Sequence, residues 1–279
     1  MNTFFLDRLN SEPHALAFAG QSTPWPVALA DQSANPALDE ALHTHAAAAQ
    51  ALLYPVSAEL LATTGRPVDL FGFEPNPARL GAAAAASASV PGIALTQLGA
   101  LLDAAALGYN PAQAKPVAVL GHSQGVLAVH MVQAICEAGS IDAAAAKIDE
   151  ILAIATLIGV AGTRQARQLG LAARHGEATP MLSVKDITRA QVDALIERVD
   201  VARGPIAVAV TNSATHYVLS GYPEDLAAFG VEVAKEHKRQ AKLREEKVRG
   251  GRVFDPTLEY LDVTLPFHSP LMADAVSQA

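Results

Sequence analysis

The pattern of apolar and polar positions divides the chain into an N-terminal part with long helical segments and a C-terminal part of short alternating elements. The apolar run at 14–19 predicts a first buried strand that ends in a polar loop at 20–22. Residues 36–65 are rich in Ala and Leu and predict a helix. Apolar spacing predicts further helices at 91–107, with Pro91 in the first position, and at 148–168.

A strand, a tight turn and a helix follow one another directly in the middle of the chain. Residues 117–120 are a short apolar run with two valines, residues 121–125 are GHSQG, and residues 126–138 have helical spacing. This is the context of the G-x-S-x-G nucleophile elbow, where glycines remove Cβ clashes at a sharp turn. The pattern predicts Ser123 as a nucleophile, with the backbone N–H of Gln124 placed to hold an oxyanion.

The segment 180–245 shows the order β-α-β-β-α, which matches most of a small ferredoxin-like unit. Its helix at 188–199 has Thr188 as predicted N-cap. We therefore predict an α/β fold in which an α/β-hydrolase-like large subdomain, residues 1–179 and 246–279, carries an inserted ferredoxin-like (α+β) small subdomain at 180–245. A final strand at 258–265 is assigned to the large subdomain.

Composition and charge exclude several classes of function. Hydrophobic residues make up 51% of the chain and the net charge is −8, so the protein is globular and nucleic acid is not expected as a partner. No secretory signal and no uninterrupted apolar span of membrane length is present, so we expect a cytoplasmic protein without membrane contact. The single cysteine, Cys136, excludes an intrachain disulfide and is predicted to be a packed thiol.

A nucleophilic serine needs a base, and the chain has nine histidines. His268 is the best candidate because it follows a predicted strand and sits in a turn of Pro, Phe and Ser. His122 adjoins the nucleophile on a sharp turn, where a neighbouring side chain usually points elsewhere. We interpret His122 as structural, and its position also makes it a candidate at the substrate site.

At this point the sequence resembles the malonyl/acetyl-CoA:acyl carrier protein transacylase family, and within it the N-terminal acetyltransferase domain of actinobacterial type I fatty acid synthases. The matching pieces occur in the family's order and cover nearly the whole chain. They are AFAGQ at 17–21, PGIALTQ at 91–97, GHSQGVLAV at 121–129, LIGVAGT at 157–163, VTNSATHYVLSG at 210–221, KVRGG at 247–251 and LPFHSPLM at 265–272.

The resemblance implies roles for the matched positions. Ser123 would form an acyl-enzyme, His268 would act as base and then acid, and the backbone amides of Gln21 and Gln124 would form the oxyanion hole. Asn212 would line the pocket. The implied reaction is ping-pong transfer of acetyl from acetyl-CoA to the phosphopantetheine thiol of an acyl carrier protein, with no permanently bound cofactor and no metal. The implied partners are that carrier protein and the other domains of a large, homo-oligomeric fatty acid synthase.

The acyl group is a separate question. Malonyl transferases of this family place an arginine where the alignment puts Ile158, because a buried carboxylate needs a charged partner. The tract 157–162 carries no charge, which favours acetyl over malonyl. Arg164 lies just beyond this tract and keeps a malonyl-CoA:acyl carrier protein transferase as an alternative.

The sequence also departs from the family's pattern. Ser22 replaces a usual glycine after Gln21, and the chain ends eleven residues after His268, before the carbonyl that orients the family's histidine. We therefore expect a C-terminally truncated chain.

Two further alternatives are a G-x-S-x-G serine hydrolase or thioesterase and a non-catalytic module of a synthase. In an extended strand Asp262 would lie on the order of 20 Å from His268 and could not orient it as a hydrolase requires.

The basic run 235–252 is interpreted as a solvated helix face, with CoA phosphates or an acidic carrier protein as alternative partners.

Overall fold

The computed structural model describes most of the chain, and the described residues are 8–21, 23–58, 61, 68–72, 85–171, 178–245 and 254–276. The chain divides into two compact units, residues 1–167 together with 279, and residues 168–278. Each unit has its own sheet, and the two are described separately below.

The first unit is built mainly of helices around a two-stranded parallel sheet. In chain order its elements are β1 (Ala15–Phe18), α1 (Trp25–Ser33), α2 (Pro36–Leu53), α3 (Ala86–Ala106), α4 (Pro111–Ala114), β2 (Ala118–Gly121), α5 (Val126–Ala138) and α6 (Ile141–Gln168, which runs to the boundary). Asn35 caps α2 by accepting a hydrogen bond from the amide of Ala37 at 3.2 Å. The helix predicted at 36–65 is present from Pro36 but ends as an α-helix at Leu53, and α6 starts seven residues earlier than the predicted 148.

Helix α3 forms the centre of this unit. It is long and apolar enough to cross a membrane by composition, but 72% of its most apolar window is buried, as in the core helix of a folded domain. Pro91 does not begin the helix, as the sequence predicted, but lies inside it, because the alanine-rich segment before it is already helical from Ala86. At this position the proline has no N–H to donate to the carbonyl of Ser87.

The sheet of the first unit pairs β1 and β2 in register from Ala15 with Ala118 to Phe18 with Gly121. The strand predicted at 14–19 is confirmed, but it is only half-buried rather than buried, with exposed and partly buried positions alternating. Leu120 on β2 is 59% exposed. Each strand of a two-stranded sheet is an edge strand with a neighbour on one side only, which is consistent with the exposure of residues that the pattern assigned to the core.

The second unit is a complete ferredoxin-like α+β fold. Its elements are β3 (Met181–Lys185), α7 (Arg189–Ile196), β4 (Ala207–Ser213), β5 (His216–Ser220), α8 (Pro223–Glu245), β6 (Thr257–Tyr260) and α9 (Ala273–Val276). The sheet order is β4-β5-β3-β6 with every pair antiparallel. Leu219, Leu226 and Phe229 are completely buried in its core. Thr188 caps α7 through a capping box with Gln191, as predicted.

The structure corrects the predicted domain bounds. Residues 246–279 were assigned to the large subdomain, yet β6 pairs with β3 and supplies the fourth strand of the small sheet. The boundary between the compact units falls after Arg167 rather than after residue 179, and residues up to 278 belong to the second unit. The strand itself was predicted, at 258–265, but its place in the small sheet was not, because its partner β3 lies far away in sequence.

Cys136 is a further correction. The thiol is exposed rather than packed, because the buried face of α5 is formed by Ala128, Met131, Val132 and Ile135. Partial burial raises the pKa of Cys136, with a smaller contribution from Glu137, so the thiol is less acidic than a free cysteine.

Candidate functional site

The predicted nucleophile elbow is present at the junction of β2 and α5. His122 is extended, with φ −87° and ψ 120°, and Ser123 takes the left-handed value φ 52°. A single turn of 3-10 helix, Ser123–Gly125, then leads into α5. A non-glycine residue at positive φ is strained, and such strain is common where a side chain must be held at a functional position.

Both glycines of the GHSQG stretch are required by close backbone packing. A Cβ on Gly121 would lie 2.5 Å from the carbonyl carbon of Gly125. A Cβ on Gly125 would lie 2.3 Å from the carbonyl oxygen of Phe18, at the end of the neighbouring strand. These distances are far below any real contact, so the turn depends on the absence of side chains.

The loop after β1 lies directly against the elbow. A Cβ on Gly20 would be 2.6 Å from the carbonyl oxygen of His122 and 3.2 Å from Cβ of Ser123. The same position is 3.5 Å from the backbone nitrogen of Gln124. The fold therefore brings Gln21 and Gln124 together next to Ser123, and their role as an oxyanion hole stays a prediction.

A network of side chains joins these two segments to α3. The side-chain amide of Gln21 donates to the side-chain oxygen of Gln124, and Nε2 of Gln124 donates to the carbonyl of Val90 at 2.5 Å. Ser89 Oγ donates to Oε1 of Gln21 at 3.2 Å. The backbone amides of Gln21 and Gln124 donate no hydrogen bond to another described residue.

Sequence reasoning did not identify Ser89 and Gln97 as residues of this site. Gln97 Nε2 donates to the carbonyl of Ala19 at 2.6 Å, and Thr23 Oγ1 donates to the carbonyl of Gly20 at 2.6 Å. The available signal was the presence of polar side chains at 89 and 97 within a helix that is otherwise largely apolar. Ser22 lies outside the described residues, so the effect of its departure from the family's glycine is not visible.

His268 belongs to the second unit, whereas Ser123 belongs to the first. The strand before it ends at Tyr260, not at residue 265 as predicted, and the following segment is irregular. Phe267 packs against Met181, Val218 and Val263, and His268 itself is exposed with φ 56°. Because this segment is not an extended strand, the distance that spoke against Asp262 as a partner of His268 does not apply.

Asn212 lies near the end of β4 with an exposed side chain. Its side-chain nitrogen is 3.4 Å from Nε2 of His216 on the neighbouring strand, and the same imidazole nitrogen is 3.0 Å from Oγ of the buried Ser183. His216 thus links a predicted pocket residue to the interior of the sheet. His216 lies within the matched stretch 210–221, but sequence reasoning assigned no role to it or to Ser183.

The predicted acyl-pocket residue Ile158 is half-buried on α6. Arg164 lies six residues later on the same helix, which corresponds to roughly 9 Å of rise and a rotation of about 120°. The two side chains therefore point in different directions. His122, beside the nucleophile, has an exposed side chain.

The basic run at 235–252 is described up to Glu245, and its first half is largely neutralised. Lys235 pairs with Glu232 at 2.7 Å, and Arg239 bonds Glu236, which also receives Arg198 at 3.2 Å. Arg239, together with Gln240 and Arg198, lowers the pKa of Glu236 to about 2. These contacts agree with the interpretation of a solvated helix face for this half of the run.

Comparison with known proteins finds partial matches to fatty acid synthases. The family model "Fatty acid synthase central AT domain" matches residues 180–260. The fatty acid synthase beta subunit hexB of Dothistroma septosporum is 27% identical over 164 residues, which cover 54% of this chain and 8% of that protein. Fatty acid synthase 2 of Mycosarcoma maydis is 29% identical over 167 residues, or 56% of this chain and 4% of the relative. The chain thus spans a small fraction of these relatives.

Solved structures show the likeness in fold. The structure of MCAT from Mycobacterium tuberculosis aligns with a TM-score of 0.55 at 20% identity, covering 96% of this chain and 68% of that one. A type II polyketide malonyl-transacylase solved with its acyl-carrier protein aligns with a TM-score of 0.55 at 16% identity, covering 95% of this chain and 68% of its own. The predicted α/β fold is therefore confirmed: this chain has the fold of the malonyl-CoA–acyl carrier protein transacylases, and its residues 180–260 match the central acyltransferase domain of fatty acid synthases.

Proposed function

We propose that this chain is a serine acyltransferase of a fatty acid synthase, which moves acetyl from acetyl-CoA to the phosphopantetheine thiol of an acyl carrier protein. The observation that carries the proposal is the strained Ser123 at φ 52°, with the Gly20 loop packed against it. Among the described residues, the arrangement offers a candidate nucleophile and, on adjacent segments, two backbone amides that make no hydrogen bond. That combination suits a reaction that passes through an oxyanion.

In the proposed first half-reaction Oγ of Ser123 attacks the thioester carbonyl of acetyl-CoA and its proton passes to His268. The carbonyl oxygen becomes an oxyanion, which the amides of Gln21 and Gln124 stabilise. The C–S bond then breaks, the CoA thiolate leaves with the proton from His268, and acetyl remains on Ser123 as an ester. In the second half-reaction the carrier thiol attacks this ester and regenerates Ser123 by the reverse proton transfers.

The proposed preference for acetyl rests on the wall of α6. Ile158 has no charge, and Arg164 lies about 9 Å along the helix and on another face. An uncharged wall accepts a methyl group, whereas the carboxylate of a malonyl group would be desolvated without a partner. Malonyl transfer is the competing proposal, and its support is the presence of Arg164 on the same helix.

The proposed partners follow from the relatives. The fatty acid synthase relatives are much longer than this chain, which supports action as one module of a larger synthase. The polyketide transacylase of the same fold was solved with an acyl-carrier protein, which supports a carrier protein as acceptor.

Intact-mass spectrometry after brief exposure to acetyl-CoA or malonyl-CoA tests the proposal. We expect one acetyl group on the wild type, none on Ser123→Ala, and slower labelling by malonyl-CoA. The adduct should persist in buffer and be discharged by phosphopantetheine or holo carrier protein. Rapid hydrolysis without a thiol would indicate a serine hydrolase, and no adduct at all would indicate a non-catalytic module.

A further inference from the structure

Helix α3 presents a buried glutamine to the loop that follows β1. Gln97 is 9% exposed, and its Nε2 donates to the carbonyl oxygen of Ala19 at 2.6 Å. Burying a primary amide costs free energy unless the amide is hydrogen-bonded. The presence of this polar side chain in the core of the first unit therefore calls for an explanation. Its partner is the peptide immediately before Gly20 and Gln21.

The carbonyl of Ala19 lies at a crowded point of the elbow. A Cβ built on Gly125 would be 2.9 Å from this oxygen. The bond from Gln97 therefore fixes the plane of the Ala19–Gly20 peptide where it meets the turn that carries Ser123. Gly20 has no side chain to restrict its own dihedral angles, so an external anchor has most effect at this peptide.

Among the described residues, helix α3 makes three hydrogen bonds with the loop after β1 and the elbow. Ser89 bonds the side chain of Gln21, and the carbonyl of Val90 receives the side chain of Gln124. Of these three contacts, the bond from Gln97 is the one to the loop backbone, at the Ala19–Gly20 peptide. The next peptide, which carries the N–H of Gln21, is held at the carbonyl of Gly20 by Thr23 Oγ1, so the two bonds together orient this N–H. The direction of a backbone N–H depends on the backbone, and a hydrogen-bond donor loses value quickly when it is misdirected.

We propose that Gln97 is a positioning residue for the oxyanion hole: its hydrogen bond to Ala19 aims the backbone amide of Gln21 at the oxyanion on the acyl group at Ser123. This inference rests on the proposed acyltransferase function. It assigns to α3 a role in the rate of acyl transfer in addition to its role in the core. Gln97 touches neither the acyl group nor the nucleophile, so its effect passes through the loop.

Replacement of Gln97 tests the inference. Gln97→Met removes the donor at similar volume, and Gln97→Leu removes it with a shorter, branched apolar side chain. The matched control is Gln32→Met. Gln32 lies on α1, and its Nε2 donates to the carbonyl of Thr96 on α3 at 2.9 Å. All three variants lose one side-chain hydrogen bond to a backbone carbonyl, and those at Gln97 lose the one to the loop.

The readouts are single-turnover acylation of Ser123 by acetyl-CoA and amide hydrogen exchange of the peptide containing residues 19–21. For both Gln97 variants we expect acylation about 10-fold slower or more, with half-saturation by acetyl-CoA unchanged, and faster exchange in the loop. Gln32→Met should stay within about twofold of the wild-type rate. If one Gln97 variant does not fold, the other and the exchange measurement still decide.

Wild-type acylation rates in folded Gln97 variants would overturn the inference, and so would loss of acetyl-CoA affinity at an unchanged maximal rate. Faster exchange without slower acylation would show a purely structural anchor and would overturn it as well. Failure of the proposed function gives a different result, because the wild type itself would not be acylated.

Discussion

The side chain of Gln21 donates a hydrogen bond to the side chain of Gln124, so the two segments whose backbone amides flank Ser123 are tied directly to each other. Each glutamine is also bonded to α3, Gln21 by Ser89 and Gln124 through the carbonyl of Val90. The site is therefore held by amide side chains that make no direct contact with substrate in the proposed reaction.

The link through Gln124 can be tested without touching a backbone amide. Gln124→Met removes the bonds to Gln21 and Val90 and leaves the Gln124 N–H in the chain. We expect the acylation rate to fall about 10-fold, measured in a quenched single turnover. Gln133→Met on α5 is the control, because its side chain bonds the exposed Glu137. An unchanged rate for Gln124→Met would show that the link has no part in catalysis.

The close packing of the elbow predicts opposite effects of two glycine substitutions. Gly125→Ala places a Cβ 2.3 Å from the backbone of Phe18 and should destabilise the first unit by several kcal/mol, at least about 3. Gly230→Ala lies within α8, where a Cβ meets only Leu258 Cδ1 at 3.7 Å, and should stabilise the protein by roughly 0.5–1 kcal/mol. Thermal unfolding measures both, and equal effects of the two would contradict the structure.

The uncharged α6 wall predicts a switch in acyl preference. Ile158→Arg should raise malonyl loading of Ser123 relative to acetyl loading by about 10-fold or more, because a guanidinium can pair with the malonyl carboxylate. Ile154→Arg is the matched control, since Ile154 is 43% exposed one turn earlier on the same helix. Competition between the two CoA esters, read by mass spectrometry, gives the ratio. The same ratio in both variants would exclude Ile158 from the pocket.

The proposed base predicts a large rate effect at one histidine. His268→Ala should slow acylation by about 10²–10⁴-fold while leaving the fold unchanged, because the side chain is exposed. His237→Ala, at a histidine on α8 whose side chain is 47% exposed, should acylate at the wild-type rate. If both variants behave alike, another group takes the proton from Ser123.

Glu236 predicts a pH-dependent contribution to stability. Its folded pKa is lowered from 4.5 to about 2, mainly by Arg239, so the carboxylate stabilises the fold above pH 4.5 and the benefit is lost as pH falls towards 2. Glu236→Gln should lower the free energy of unfolding at pH 7 by roughly 1–2 kcal/mol. The difference from wild type should shrink below pH 4.5 in urea titrations. Glu150→Gln, which breaks the exposed pair with Lys147, should show no such trend.

The features that the sequence predicted well are local. The strand–turn–helix around Ser123 depends on glycines within five residues, and the cap of α7 depends on Thr188 and Gln191 three residues later. The start of α3 was misplaced at Pro91 because proline favours a first position in general, whereas here the alanines before it were already helical. Local sequence patterns are enough to predict the elbow, but they do not determine the residue at which an apolar helix begins.

The features that were missed depend on contacts between distant segments. Nothing near Gln97 in sequence shows that its amide reaches Ala19, 78 residues away. The exposure of Cys136 likewise depends on which face of α5 packs inward. The catalytic pairing of Ser123 with His268 stays a prediction, since each residue belongs to a different compact unit.

The strand order of the second unit has a consequence for biosynthesis. β3 sits between β5 and β6, and Leu182 pairs with Tyr260, so the sheet cannot close until that late strand has left the ribosome. During that interval one edge of β3 lacks its partner, and unpaired apolar edges invite association between nascent chains. A shortened gene that stops before residue 257 would leave this edge permanently open, and we expect its product to accumulate as insoluble aggregates.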